Sequence, residues 1–166
     1  MAELTNLESK LGEVVGLAMA AQEAGQKVAK LAQDDGNEEL VGTLERMRGE
    51  AKETEERGTE VAGTFDGKKT AILDEAREVK QKAQEMMKTY LDQASDSLDG
   101  FEFLTMAEAG EVGHWEILGT LNKRAAKSEV SELVSWALPI QQRHLETVRK
   151  ASLELASEED PNETSS

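Results

Sequence analysis

Apolar side chains recur at alternating steps of three and four along most of this chain, the pattern of helices that bury one face. Segment one, about residues 3–33, carries Leu4, Leu7, Leu11, Val14, Ala18, Ala21, Gly25 and Val28 in that rhythm. "DDGN" at 34–37 then supplies the glycine and asparagine that end helices. Segment two, about 38–65, repeats the rhythm through Leu40, Leu44, Met47, Ala51, Thr54, Gly58, Val61 and Phe65, and "DGKK" at 66–69 is the next turn. Segment three, about 70–94, places Ile72, Ala76, Val79, Ala83, Met86 and Tyr90 on one side, before a loop at "SDSLDG". Segment four covers about 101–126. Segment five, about 129–157, opens at "SEVSE", where Ser128 is placed to cap the helix. No stretch alternates with period two, so no sheet is expected.

A helix of about 28 residues spans roughly 42 Å. Four such helices and a shorter one, joined by turns of a few residues, predict an all-α antiparallel four-helix bundle with an additional shorter helix. The bundle is expected to be one domain over residues 1–157. The acidic tail 158–166, "EEDPNETSS", has no apolar anchor and is expected to be disordered.

Composition narrows the core and the partners. The 166 residues are 38% apolar, 4% aromatic and 32% charged, so aliphatics and alanine must build the interior. Thirty-four acidic against 19 basic side chains leave a formal net charge of −15. Such a surface repels phosphate backbones and anionic headgroups, which points away from nucleic acid and from membranes. Without cysteine there is no thiolate ligand or nucleophile. No segment approaches the ~18 apolar residues of a membrane span, and a cytoplasmic protein is the expectation.

Chemistry in a helical bundle comes from polar side chains on the inward stripe. Segment one offers none, and Glu50, Glu53 and Glu55 flank the stripe of segment two. Segment four carries Phe103, Ala107, Gly110, His114, Ile117 and Leu121 on one row, and Leu104, Glu108, Glu111, Trp115 and Leu118 on the row beside it. Segment five carries Val130, Val134, Ala137, Gln141, His144, Val148, Ala151 and Leu155. Both histidines of the chain thus fall mid-helix on core faces, each three residues after Glu111 or Gln141. Antiparallel pairing of segments four and five brings Glu111, His114, Gln141 and His144 within a few turns of one another. Imidazole and carboxylate at this spacing suit iron, zinc or manganese; equally, two histidines can satisfy hydrogen bonds in an apolar core. Pro139 is expected to kink segment five. Gly110, Gly113 and Gly119 are expected to admit close helix approach or to accommodate Trp115 and Trp136.

The run Val112, Gly113, His114, Trp115, Glu116, Ile117 with Gly119, Thr120 and Leu121, together with Glu53, Thr54 and Glu55, resembles the bacterial stress-associated YciE/YciF family. The similarity covers about residues 4–156. It implies a ferritin-like bundle and, from some members, a two-metal carboxylate site. By position, the glutamate expected before His114 is Gly113, and the acid expected on the last helix is Gln141. The metal set implied is Glu53, Glu111, His114, Glu116, Gln141 and His144, with iron or manganese as the ion. A two-metal site of this kind calls for about four carboxylates and two histidines from four helices, more than this chain aligns. The leading expectation is therefore a ferritin-like, stress-associated bundle with a degenerate metal site and a structural or interaction role, self-associating as a homodimer. The rival is a di-metal protein that handles iron or oxidants.

Overall fold

Thr5 opens the first helix of the computed structural model, which describes residues 2–164. Its hydroxyl accepts the Glu8 N–H at 3.2 Å while the Glu8 carboxylate accepts the Thr5 N–H at 2.8 Å. This reciprocal capping box satisfies two of the N–H groups that a helix start leaves unpaired. Helix α1 spans Asn6–Asp34, and Gly36, at φ 75°, turns the chain in the left-handed region that glycine enters freely. Asn37 then caps α2 (Glu38–Ala62) by accepting the Leu40 N–H at 3.1 Å. Helices α3 (Lys69–Leu91), α4 (Ser97–Ala125) and α5 (Ser128–Ser157) follow, with Asp96 capping α4 through the Asp99 N–H. The described residues hold five helices and no strand.

Side-chain pairings give the helix directions. Helix α1 packs against α2, α3 and α4, and α5 packs against α4 and α2. Arg48 and Glu55 of α2 reach Gln22 of α1, and Gly58 sits on Val15, so these two run antiparallel. Helix α4 is also antiparallel to α1, with Gly100 against Val28 at one end and His114 beside Glu13 further along. Helix α5 opposes α2, since Glu50 meets Arg143 while Arg57 meets Trp136. Helix α3 runs parallel to α1, with Ile72 and Ala76 seated on Gly12 and Gly16.

The interior divides into two apolar halves. One holds Leu11, Val14, Val15, Phe65, Ile72, Trp115, Leu118, Val130 and Leu133. The other holds Ala24, Val28, Leu44, Met87, Phe101, Leu104 and Val148. Between the halves, each helix facing the centre passes through a level of small or polar buried residues. Helix α1 contributes Ala18, α2 Ala51 and Thr54, α4 Glu108 and Glu111, and α5 Gln141 and His144.

Several local expectations give way to this packing. Of the two rows on α4, the one through Leu104, Glu108, Glu111, Trp115 and Leu118 is buried, whereas Ile117 is exposed and His114 only half-buried. The helix is rotated so that its largest ring, Trp115, enters the core. Ser128 does not cap α5; the preceding turn is instead held by Asn122, whose amide accepts from Lys127 N–H and donates to the Lys127 carbonyl and the Ser131 hydroxyl. Pro139 lies inside α5, where the reading of segment five put it. Gly110 and Gly113 face open space, and only Gly119 meets a neighbouring helix, at Val134. The tail over 158–164 is a run of exposed turns, and Ser165 and Ser166 lie outside the described residues.

Candidate functional site

Three helices bring their polar side chains to the middle level of the core. On α4, Glu108 and Glu111 are three residues apart, so both project toward α5. On α5, Gln141 and His144 repeat the spacing in the opposite direction, which sets His144 against Glu108 and Gln141 against Glu111. Helix α2 supplies Glu50, whose Oε1 lies 3.1 Å from His144 Nε2. Arg143 donates to both oxygens of that carboxylate, at 3.0 and 2.5 Å. The His144 Nδ1 is 3.9 Å from Glu108 Oε2, too long for a hydrogen bond.

Burial and neighbours decide which of these groups carry charge. The Arg143 guanidinium beside Glu50, helped by His144, holds that carboxylate below its ordinary range. Burial pushes the His144 imidazole down, against the opposing pull of Glu50. Burial raises Glu108 to about 8. Burial and the neighbouring Glu108 raise Glu111 well above its ordinary value, and a hydrogen bond from Gln141 only partly offsets this. Near neutrality the level therefore holds one solvent-facing ion pair, one neutral imidazole and two protonated acids. With Glu50 ionised, the arrangement assigns the His144 proton to Nε2, which donates to Glu50, leaving Nδ1 as an acceptor turned toward Glu108. Among the described residues, Glu108 Oε2, Glu111 Oε2, Gln141 Oε1 and Trp115 Nε1 are buried with no hydrogen-bond partner. Each such group costs about 1–3 kcal/mol.

A divalent cation would need ionised carboxylates and imidazole around one point. Among the described residues, no three His, Asp or Glu side chains converge in that way. Helix α1 faces the level with Ala18, which has no donor, and Gln141 offers only an amide oxygen where an acid would give charge. The donor set fits a two-metal centre poorly.

Of the six residues expected as ligands, the fold brings together Glu111, Gln141 and His144. The other three are elsewhere. Glu53 is on the outer face of α2, paired with Arg57 at 3.0 Å. Glu116 is exposed. His114 stands between α4 and α1, its Nδ1 3.2 Å from both Glu13 Oε1 and Lys10 Nζ, so it does not share the core face expected for both histidines. Two members of the cluster went unassigned in the sequence. Glu108 lies on the row that also carries Glu111. Glu50 is three residues after Met47 and four before Thr54, both buried, and that spacing places it on the inner side of α2.

No protein-family model, curated protein or solved structure matches the chain. No helix is long and apolar enough to cross a membrane among the described residues.

Proposed function

We propose that this protein is a ferritin-like helical bundle of the stress-associated type, with a structural or interaction role, in which the former metal level now holds protons. The closed circuit of contacts α1–α2–α5–α4, with neighbours antiparallel and α3 spanning from α2 to α4, supports a four-helix bundle with a crossover helix. The observation that carries the functional reading is the state of the level itself. Glu108 and Glu111 are buried beside each other with raised pKa values, and α1 opposes them with Ala18. Two divalent ions in that space would lack the carboxylates needed to neutralise them. Such a protein would act in the cytoplasm through its surface, self-associating as a homodimer; Leu153 and Ile117 are among its exposed large apolar side chains.

One observation favours the rival reading, a di-metal protein using iron or manganese. Glu108 Oε2, Glu111 Oε2 and Gln141 Oε1 are unpartnered oxygens on facing helices, and cation binding would draw protons from the acids. Elemental analysis of tag-free protein, before and after loading with ferrous iron or manganese, separates the two. Less than about a tenth of an equivalent, with His144→Ala merely less stable, is the expected result. Near-stoichiometric metal lost in His144→Ala and Glu111→Ala, with ferrous oxidation by the wild-type protein, would overturn it.

A further inference from the structure

The face of α4 turned away from the bundle is apolar along its middle. Met106 and Ile117 stand on it at 42% and 45% exposure, with Ala109 exposed beside them. Between the two, Gly110 and Gly113 would meet no atom within 4 Å if each bore a Cβ. Steps of four, three and four join Met106, Gly110, Gly113 and Ile117 into one outward stripe. Each glycine costs a helix interior about 1 kcal/mol against alanine, and nothing inside the chain calls for it. Helix α3 extends the patch. Met86 lines a groove with Met106 and Gly110, and the exposed Tyr90 stacks on Phe103 with ring centroids 6.0 Å apart. Charge at the two ends of α4 has opposite sign: Asp99 lies in its first turn and Glu102 just after, Lys123 and Arg124 in its last turn. Glu102, Lys123 and Arg124 are exposed and enter no ion pair among the described residues.

We propose that this face binds a second copy of the chain, α4 against α4 and antiparallel, about a two-fold axis that passes midway between Gly110 and Gly113. In that register Gly110 meets Gly113 of the second copy, where the absence of side chains lets the two backbones come close. Met106 and Ile117 are equally distant from the axis along the helix, so each covers the other on the opposite copy. Asp99 and Arg124 are likewise equidistant and meet, and Glu102 comes beside Lys123 on the flank. The symmetry repeats both pairs of opposite charge. Glu116 comes beside Ala109, so no like charges are set face to face. A parallel arrangement would instead place acid on acid and base on base. The net charge of −15 opposes association, but screening beyond about 8 Å at 0.15 M salt leaves the short-range pairs to decide the orientation. From Asp99 to Arg124 the helix is about 38 Å long and about 10 Å wide, a footprint of roughly 400 Å² per copy. A standard interface buries about 800 Å² per partner, so the dimer is weak and reversible even with Met86 and Tyr90 at its edge. The inference rests on the self-association proposed above and gives it a surface, an orientation and a register.

Sedimentation equilibrium at 0.15 M salt, from about 1 μM to about 1 mM protein, reads the association, and cysteine cross-linking reads the register. A monomer–dimer equilibrium is expected. Ile117→Glu should weaken it at least ten-fold and Lys123→Glu several-fold, while circular dichroism stays helical because both positions are exposed. Adding Glu102→Lys to Lys123→Glu should recover most of the loss, since the pair is then only reversed. The chain has no cysteine, so Met106→Cys and Ile117→Cys can be introduced separately. A disulfide needs Cα atoms within about 7 Å. Mixed under mild oxidation, the two variants should cross-link to each other. Neither should cross-link to itself, because like positions lie roughly 16 Å apart along the helices. A monomer at every concentration overturns this inference and the homodimer reading together, leaving the face to a different protein. A dimer indifferent to Ile117→Glu, or lost in Leu153→Glu instead, overturns the α4 surface alone and leaves the homodimer standing. Self-cross-linking of either variant, with none in the mixture, overturns the antiparallel register.

Discussion

Glu108 and Glu111 are acids in a place that penalises charge, and this makes the protein's stability depend on pH in a definite direction. A carboxyl whose pKa is raised on folding binds more protons folded than unfolded across the interval between the two values. For Glu108 that interval runs from 4.5 to about 8. Its contribution is complete below 4.5 and is lost as pH rises through about 8, with Glu111 adding in the same sense. His144 acts oppositely: its lowered pKa means that acid, below about 6.5, favours the unfolded chain. Urea denaturation at pH 5.5, 7 and 9, taken at constant ionic strength, should therefore show stability falling from neutral to alkaline pH. Glu108→Gln should flatten that limb, since an amide has no proton to lose. An unchanged alkaline slope in the variant would show that Glu108 ionises freely in the folded protein. The sequence could place Glu111, Gln141 and His144 on inward rows because a three-residue step keeps side chains on one face. It could not decide between the neighbouring rows through His114 and through Glu108, because both carry apolar residues at helical spacing. Burial of the Trp115 ring in the core selects the second row, and His114 is left with Lys10 and Glu13.

At the scale of the elements, glycines divide into those that a neighbour requires and those that nothing requires. A Cβ on Gly16 would run into the Ala76 carbonyl and the Val79 side chain of α3, and backbone cannot move aside cheaply. Gly16→Ala should lower stability by about 1–3 kcal/mol, the usual scale for overpacking a tight contact. Gly113, in the interior of α4, faces open space. Gly113→Ala should raise stability by about 0.5–1 kcal/mol through helix propensity alone. Both follow from chemical denaturation midpoints at equal m-value, and Gly16→Ala matching the wild type would mean α3 is not held against α1 by that contact. Helix boundaries were legible to within about four residues because signals such as Asn37 after Gly36 are local; the start of α4 at Ser97 was missed, since "SDSLDG" reads as a loop although Asp96 caps the helix there. Ser128 shows where local reading stops. Its type and position suit a cap, yet Asn122, across the α4–α5 turn, supplies the hydrogen bonds instead.

Across the whole molecule, a net charge of −15 means that folding gathers like charges into a smaller volume. Screening relieves part of that repulsion, with a Debye length of about 30 Å at 0.01 M salt and about 8 Å at 0.15 M. The melting temperature should accordingly rise between those two salt concentrations. A fall would mean that the surface ion pairs, such as Glu53 with Arg57 and Glu146 with Arg149, outweigh the net repulsion. Helical content and the number and approximate length of the helices were settled by the chain itself, because periodicity and capping act within a few turns. Which rows meet in the centre was settled only by packing. Glu50 reaches His144 across 94 positions of sequence, and Ala18 faces the acids of α4 from another helix. No local rule couples such positions. Their juxtaposition comes from fitting rings, glycines and aliphatics of several helices together, and that fit decides which acids are buried and therefore which keep their protons.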